Sequence, residues 1–157
     1  EVGVDAARFF FIMRRLDSPL DFDIDLAKKQ TEENPVYYVQ YAHARLYNIL
    51  EFARSHNITL DHSQDIAMLT AKEELALIKK LAEYPEVLQK AALLLEPHRV
   101  TTYLMELAST FHSFYQNHRV VSDDKALSQA RLILVDGTRI VLKNALDLLK
   151  ISAPERM

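Results

Sequence analysis

The sequence predicts an all-α fold, a helical bundle of about five to seven helices, and three observations lead there. Only two glycines, Gly3 and Gly137, occur in 157 residues. There is no Asn-Gly pair, and the one Asp-Gly, Asp136-Gly137, sits inside a helical pattern, so tight β-hairpins have no turn chemistry. Apolar residues recur at spacings of three and four, and the prolines act as punctuation between these runs.

The first helix is expected over Val4–Arg15. It is entered almost at once from a start at Glu1 that carries no Met, and such an opening reads as a cut through a longer protein. Pro19 breaks it, leaving Asp17–Asp25 irregular or extended. A short helix from Leu26 to about Glu33 follows. Asn34-Pro35 is a stop-and-restart signal: Asn caps, and Pro takes a first position where its missing N–H costs nothing. The restarted helix runs to about Ser55 on a stripe of Val39, Ala42, Leu46, Ile49, Leu50 and Ala53.

Residues 56–69 are more polar and read as a loop. Thr70 and Glu73 have capping-box spacing and open a helix that turns Leu75, Ile78, Leu81 and Ala82 inward. Pro85 ends it near Tyr84, and a shorter helix covers Pro85–Leu95. Pro97 opens a long helix with Val100, Tyr103, Leu104, Leu107, Phe111 and Phe114 on one face. Ser122 is expected to cap the last helix, Asp123 to about Lys150, whose first turn carries two carboxylates at the positive end of the dipole. Its stripe is Leu127, Ala130, Leu134, Val141, Ala145 and Leu148. Gly137 in mid-helix costs up to about 1 kcal/mol against Ala and marks a close helix approach or a bend.

Composition removes several function classes. With no Cys there is neither a disulfide framework nor a Cys-ligated zinc site, and with two Gly there is no glycine-rich phosphate loop. A net charge of −3 and a pI near 6.1 exclude a general polycationic reader of nucleic acid, so any such role must rest on a local surface. No apolar run reaches the roughly 18 residues of a membrane span, and no secretory signal pattern is present. The absence of Cys and of an export signal fits the cytosol.

Metal chemistry finds little support. Asp21, Asp23 and Asp25 alternate as in a calcium loop, and Glu32 falls at the bidentate position. Leu26 stands where such a loop needs Gly, and Phe22 and Ile24 intervene, so an extended segment burying these two is favoured. The pairs His56/His62 and His112/His118 are each six apart, a poor spacing for one helix face, and no His-Glu-x-x-His or Glu-x-x-His pair occurs. No metal site and no catalytic residue is assigned.

The helix after Pro35 carries Tyr37, Tyr38, Tyr41, His43, Arg45, Tyr47 and Asn48. Tyr38, Tyr41 and Arg45 are spaced i, i+3, i+7 and share one face. Tyr rings are stacking platforms for unpaired bases, and Arg adds a cation that also stacks. Periodicity alone favours the plainer reading, in which some of these Tyr are core-edge residues. A second cluster, His112, Phe114, Tyr115, Gln116, Asn117, His118 and Arg119, ends the long helix. Arg131, Arg139 and Lys143 lie on the last helix, either as phosphate contacts or as a solvated face.

At these residues the chain resembles the C-terminal anticodon-binding (DALR-type) domain of arginyl-tRNA synthetase. The matching segments are Gly3-Val4-Asp5-Ala6-Ala7-Arg8-Phe9-Phe10-Phe11, the long run Asn34-Pro35-Val36-Tyr37-Tyr38-Val39-Gln40-Tyr41-Ala42-His43-Ala44-Arg45, and Phe111-His112-Ser113-Phe114-Tyr115. Ala130-Arg131-Leu132 to Val135-Asp136 and the ending Ala153-Pro154-Glu155-Arg156-Met157 complete them, in the family's order. The Asp-Ala-Leu-Arg letters behind the family's name are not literal here; the nearest run is Lys125-Ala126-Leu127-Ser128.

The resemblance implies the helical anticodon-binding bundle of a class I aminoacyl-tRNA synthetase, gripping the anticodon stem-loop of tRNA for arginine. It implies a parent enzyme that joins arginine to that tRNA with ATP and Mg, an arginine–tRNA ligase. The His-Ile-Gly-His and Lys-Met-Ser-Lys type motifs of the catalytic part do not occur here, so this chain alone is expected to be inactive and to hold no cofactor. Residues 1–25 are expected to be the terminal helix and linker of the catalytic domain, and 26–157 the anticodon-binding domain. The implied tRNA-binding set is Tyr38, Tyr41, Arg45, His112, Tyr115, Asn117 and Met157. A helical protein–protein scaffold without RNA binding is the alternative.

Overall fold

The structure, a computed structural model, describes residues 2–15, 17–19 and 21–157. Glu1, Leu16 and Leu20 lie outside it, and with them the reading of the opening residue and part of the irregular segment over 17–25. Among the described residues there are seven α-helices and no strand: α1 (Val4–Ile12), α2 (Ile24–Lys28), α3 (Pro35–Ser55), α4 (Lys72–Ala82), α5 (Tyr84–Leu93), α6 (His98–Asn117) and α7 (Lys125–Leu148).

Three long helices, α3, α6 and α7, pack on one another and form the centre. The α4–α5 pair lies against α6, with α4 also touching α7, while α1 packs on α3 and carries α2. One continuous core joins them: Phe9 from α1, Leu46 from α3, Leu77 from α4, Leu104, Leu107, Phe111 and Phe114 from α6, and Leu132, Leu142 and Leu146 from α7 are fully buried. Each such side chain contributes about 1.5–3 kcal/mol of transfer free energy. The core therefore spans the chain from its first helix to its last.

The Asn34-Pro35 signal produces α3 at the expected place. The Asn34 side-chain oxygen accepts from Val36 N at 3.2 Å, and its amide donates backwards to the carbonyls of Ala27 at 3.1 Å and Lys29 at 2.8 Å. That backward grip stops α2 at Lys28 rather than near Glu33, while Asp23, accepting from Leu26 N at 2.8 Å, starts it two residues earlier than expected. Phe22 sits half-buried against Phe10 and Phe11, with ring centroids 5.5 and 5.7 Å away; Ile24, expected inside, is exposed.

Two other helix starts differ. α4 begins at Lys72, and its N-terminal carboxylate is Glu74, whose Oε2 accepts from Ala71 N at 2.9 Å, one residue later than the Thr70/Glu73 reading. This turns Glu74 and Leu77 inward, half-buries Ile78 and Leu81, and leaves Leu75, at 42% exposure, and Ala82 outside. α7 is capped by Asp124, which accepts from Leu127 N at 3.0 Å, and Ser122 instead donates its N–H to Ser128 Oγ at 2.9 Å. Near the end of α7, Leu146 and Leu149 face the core in place of Leu148. A Cβ on Gly137 would meet only Leu81 Cδ1, at 3.9 Å, an ordinary contact between α7 and α4.

Three helices end alike, and none uses glycine. Asn57, Leu95 and Lys150 have φ of 58°, 55° and 56°. In each case the next residue's N–H returns to a carbonyl five back, Ile58 to Ala53, Glu96 to Ala91 and Ile151 to Leu146, all at 2.9–3.0 Å. The left-handed residue itself bonds three back. This double pattern satisfies carbonyls that a helix end otherwise orphans.

After the last of these turns the tail lies on α3. The Asp5 carboxylate accepts from Ser152 N at 3.2 Å and from Ser152 Oγ, and Gln40 Nε2 donates to Asp5 at 2.9 Å and to the Ser152 carbonyl at 3.0 Å. His43 Nδ1 donates to the Pro154 carbonyl at 2.8 Å.

Candidate nucleic-acid interface

The packing of α3 on α6 decides what their outer edges present. Val39, Ala42, Leu46 and Ile49 of α3, and Leu107, Ala108, Phe111 and Phe114 of α6, go inward. The 100° step of a helix then brings Tyr38, Tyr41 and Arg45 to the seam beside the last turns of α6, where His112 and Tyr115 emerge. All five are half-buried, and Tyr38 and Tyr115 pack against the core.

Their rings form a continuous layer. His112 lies 5.0 Å from Tyr38 and 6.0 Å from Tyr41, centroid to centroid, and Tyr37 stacks on Tyr41 at 6.4 Å with planes 9° apart. Arg45 Nη1 donates to the Tyr41 hydroxyl at 2.6 Å, and its guanidinium carbon stands 4.5 Å from the Tyr115 ring centroid. His112 Nε2 is buried without a hydrogen-bond partner. Burial lowers the proton affinity of this imidazole; the Glu32 charge opposes that in part, and the Arg45 charge adds a smaller lowering. The layer is thus a set of flat faces with one fixed cation.

The remaining candidates are placed differently. Asn117 is exposed, and its amide donates to the Ser113 carbonyl at 2.8 Å, finishing α6. Met157 is 52% exposed, at the end of a tail whose contacts run along Gln40, His43 and Tyr47. Those three lie on roughly the opposite side of α3 from Tyr38, Tyr41 and Arg45. The structure therefore brings Tyr38, Tyr41, Arg45, His112 and Tyr115 together, sets Asn117 at their edge and leaves Met157 apart.

His43 and Tyr47, named above on the same helix, face the tail. His43 is buried, and burial lowers its proton affinity, with Arg139 and Lys143 adding to that and the Pro154 carbonyl and Glu155 opposing it. Three basic residues of α7 are occupied: Arg131 by Glu74, Arg139 by Asp136 and Lys143 by Asp147.

Beside the ring layer a groove of about 640 Å³ opens between α3 and the end of α6. Arg45, Asn48, Ile49 and Phe52 line one side, and Tyr115, Asn117, His118, Arg119, Val120 and Val121 the other. Among the described residues no carboxylate lines it. In two comparable cavities elsewhere carboxylates offset the cations: Glu83, Glu86 and Glu106 beside Lys90 and Arg99 in one, Glu51 and Asp136 beside Arg54 and Arg139 in the other. An anionic ligand is repelled least at the first groove, where Arg45 and Arg119 stand. Phe52, exposed at its rim and in ring contact with His56 at 4.1 Å, was not among the sequence candidates. Its i, i+4, i+7, i+11 relation to Tyr41, Arg45 and Asn48 was the available signal.

Among the described residues no group of three His, Asp or Glu side chains is placed to hold a metal ion, and no helix is long and apolar enough to cross a membrane.

Comparison with known proteins gives one family. Residues 39–157 match the DALR anticodon binding domain. A curated arginine–tRNA ligase from Geobacter sp. (strain M21) is 57% identical over 159 aligned residues, covering 100% of this chain and 29% of its own length. One from Syntrophotalea carbinolica is 58% identical with the same coverage. The solved Thermus thermophilus arginyl-tRNA synthetase superposes with a TM-score of 0.83 at 32% identity, over 98% of this chain and 26% of that one. The chain thus spans under a third of the length of these relatives.

Proposed function

The chain belongs to the DALR anticodon-binding domain family, and from that membership we propose that it supplies tRNA anticodon stem-loop recognition to an arginine–tRNA ligase. Curated relatives bearing that name align with the whole of this chain. In this reading residues 26–157 are the RNA-binding unit, and residues 1–25 are the end helix and linker of the catalytic part. ATP and Mg belong to that other part, and the protein works in the cytoplasm as a monomer.

The observation that carries the proposal is the half-exposed layer of Tyr38, Tyr41, His112 and Tyr115 around Arg45, beside a groove that no carboxylate lines among the described residues. Bases that leave their stack in an anticodon loop offer π-faces and Watson–Crick edges. A ring presented from a rigid helix receives such a face for about 1–3 kcal/mol per base, at little entropic cost to the protein. Tyr38 and Tyr41 take the bases, Arg45 and Arg119 hold the intervening phosphates, and Asn117 adds a contact at the edge. The net charge of −3 makes general attraction to RNA poor, so affinity must come from this face.

The test is a titration of the chain with an arginine anticodon stem-loop and with the same stem carrying a swapped anticodon, at two salt concentrations. Tighter binding of the arginine sequence with a shallow salt slope is expected, because few phosphates are held. Equal affinity for both loops would refute base reading.

A further inference from the structure

One wall of the groove is the segment that leaves α6, His118 to Val121. α6 ends there without the left-handed turn that closes α3, α5 and α7: His118 is extended, with φ −132° and ψ 130°. Val120 anchors the segment in the core. The rest is held by a polar chain from α7 and α4. Glu74, at 1% exposure, accepts from Arg131 Nε at 2.8 Å with one oxygen and from Ala71 N at 2.9 Å with the other. Arg131 Nη1 donates to the Arg119 carbonyl at 2.8 Å, and Nη2 meets His118 Nδ1 at 3.3 Å. His118 Nε2 lies 3.0 Å from Glu73 Oε2.

The chemistry fixes the direction of this chain. A guanidinium carries only donors, so His118 Nδ1 accepts, the ring proton sits on Nε2, and Nε2 donates to Glu73. One planar side chain thereby fastens two consecutive groove-wall residues to α4. The buried Arg131–Glu74 pair alone is a poor source of net stability, since desolvation of both charges offsets their attraction. The extra contacts all go to the wall that carries the Arg119 cation.

We infer that Arg131 and His118 are positioning residues for RNA binding: together they set the His118–Val121 wall, and so the shape of the groove that takes a nucleotide next to the stacked bases. This rests on the RNA-binding reading above. A lysine at 131 keeps a cation for Glu74 but lacks the fork that reaches the wall. A glutamine at 118 presents an amide donor and a carbonyl acceptor, reproducing both imidazole contacts; a leucine presents neither.

The experiment compares His118→Gln, His118→Leu and Arg131→Lys with the unaltered chain. It measures affinity for the matched and anticodon-swapped stem-loops, stability to urea, and amide exchange at residues 118–121. Expected are affinity within about twofold for His118→Gln and roughly tenfold weaker matched binding for His118→Leu and Arg131→Lys. The two weakened variants should also show a reduced matched-over-swapped ratio and faster exchange at the wall. If His118→Leu does not fold, Arg131→Lys carries the same comparison. Binding by the folded variants equal to the unaltered chain overturns the inference. So does a glutamine variant as weak as the leucine one, or a loss that tracks stability alone with the ratio intact. Failure of the unaltered chain to prefer the matched loop shows up before any substitution, and marks failure of the RNA reading instead.

Discussion

Arg45 stands over Tyr115, its guanidinium carbon 4.5 Å from the ring centroid, while its Nη1 donates to the Tyr41 hydroxyl 2.6 Å away. α3 and α6 are thus linked across their seam by one cation that touches a ring from each helix. Pre-organisation of this kind removes ordering cost from binding.

Two substitutions probe that arrangement. Tyr41→Ala removes a platform and should weaken stem-loop binding by about ten- to a hundredfold, following the roughly 1–3 kcal/mol of a base–aromatic stack. Arg45→Lys keeps the charge but loses the planar fork and the flat cation–ring contact, and should cost roughly three- to tenfold. Fluorescence anisotropy with a labelled loop measures both, and circular dichroism reports whether the variants fold. A folded Tyr41→Ala that binds normally removes that ring from the site.

Acid should destabilise the fold before its carboxylates titrate. Burial holds the proton affinities of His43 and His112 below the ordinary value of 6.5. Their unfolded forms therefore bind more protons than their folded forms as pH drops through 6.5, and stability falls with it. The charges facing them act in opposed pairs, Arg139 and Lys143 against Glu155 at His43, and Arg45 against Glu32 at His112. Glu73, lowered by the His118 N–H, loses its contribution only below about 4.5, a separate window. A urea midpoint lower at pH 5.5 than at 7.5 is expected; an unchanged or higher midpoint contradicts it.

The left-handed turn after α5 offers a stabilising change. Leu95 has φ 55° and is 75% exposed, so its side chain suffers the steric cost of that conformation while burying little. Leu95→Gly should raise stability by about 1 kcal/mol, because glycine enters this region freely. A melting temperature that falls would show that Leu95 packs on something of value.

Asn34 joins two helices through one side chain, as cap for α3 and as donor to two carbonyls of α2. Asn34→Ala should cost about 2–3 kcal/mol, combining a lost cap with unsatisfied buried carbonyls. Asn34→Asp keeps the cap acceptor but sets a carboxylate oxygen against the same two buried carbonyls, so it should cost at least as much. A urea midpoint for Asn34→Ala equal to that of the unaltered chain would show that neither the cap nor the backward bonds contribute.

Much of this was legible in the sequence, and where it was not the partner lay far away. Asn34-Pro35 located α3 because cap and proline act within a few residues. The α4 start slipped by one residue because Thr70 and Glu73 have the letters of a capping box, yet Arg131, 57 residues distant, draws Glu74 inward and sets the phase. The shared face of Tyr38, Tyr41 and Arg45 followed from helical spacing alone. The same spacing sets His43 and Tyr47 on the far side of α3 and Phe52 in line with Tyr41, Arg45 and Asn48; what it could not show is that the tail returns to the first pair and that a groove opens beside Phe52. Leu95 and Lys150 in left-handed turns defeat any rule that seeks glycine there.

The knot of Asp5, Gln40 and Ser152 puts the first helix and the tail side by side. A short peptide could bridge the two ends, and the chain could be reopened in the exposed stretch 62–68, giving a circular permutant with the same interior. Its new termini would flank α3 and α4, giving an engineer a second place from which to tether the bundle.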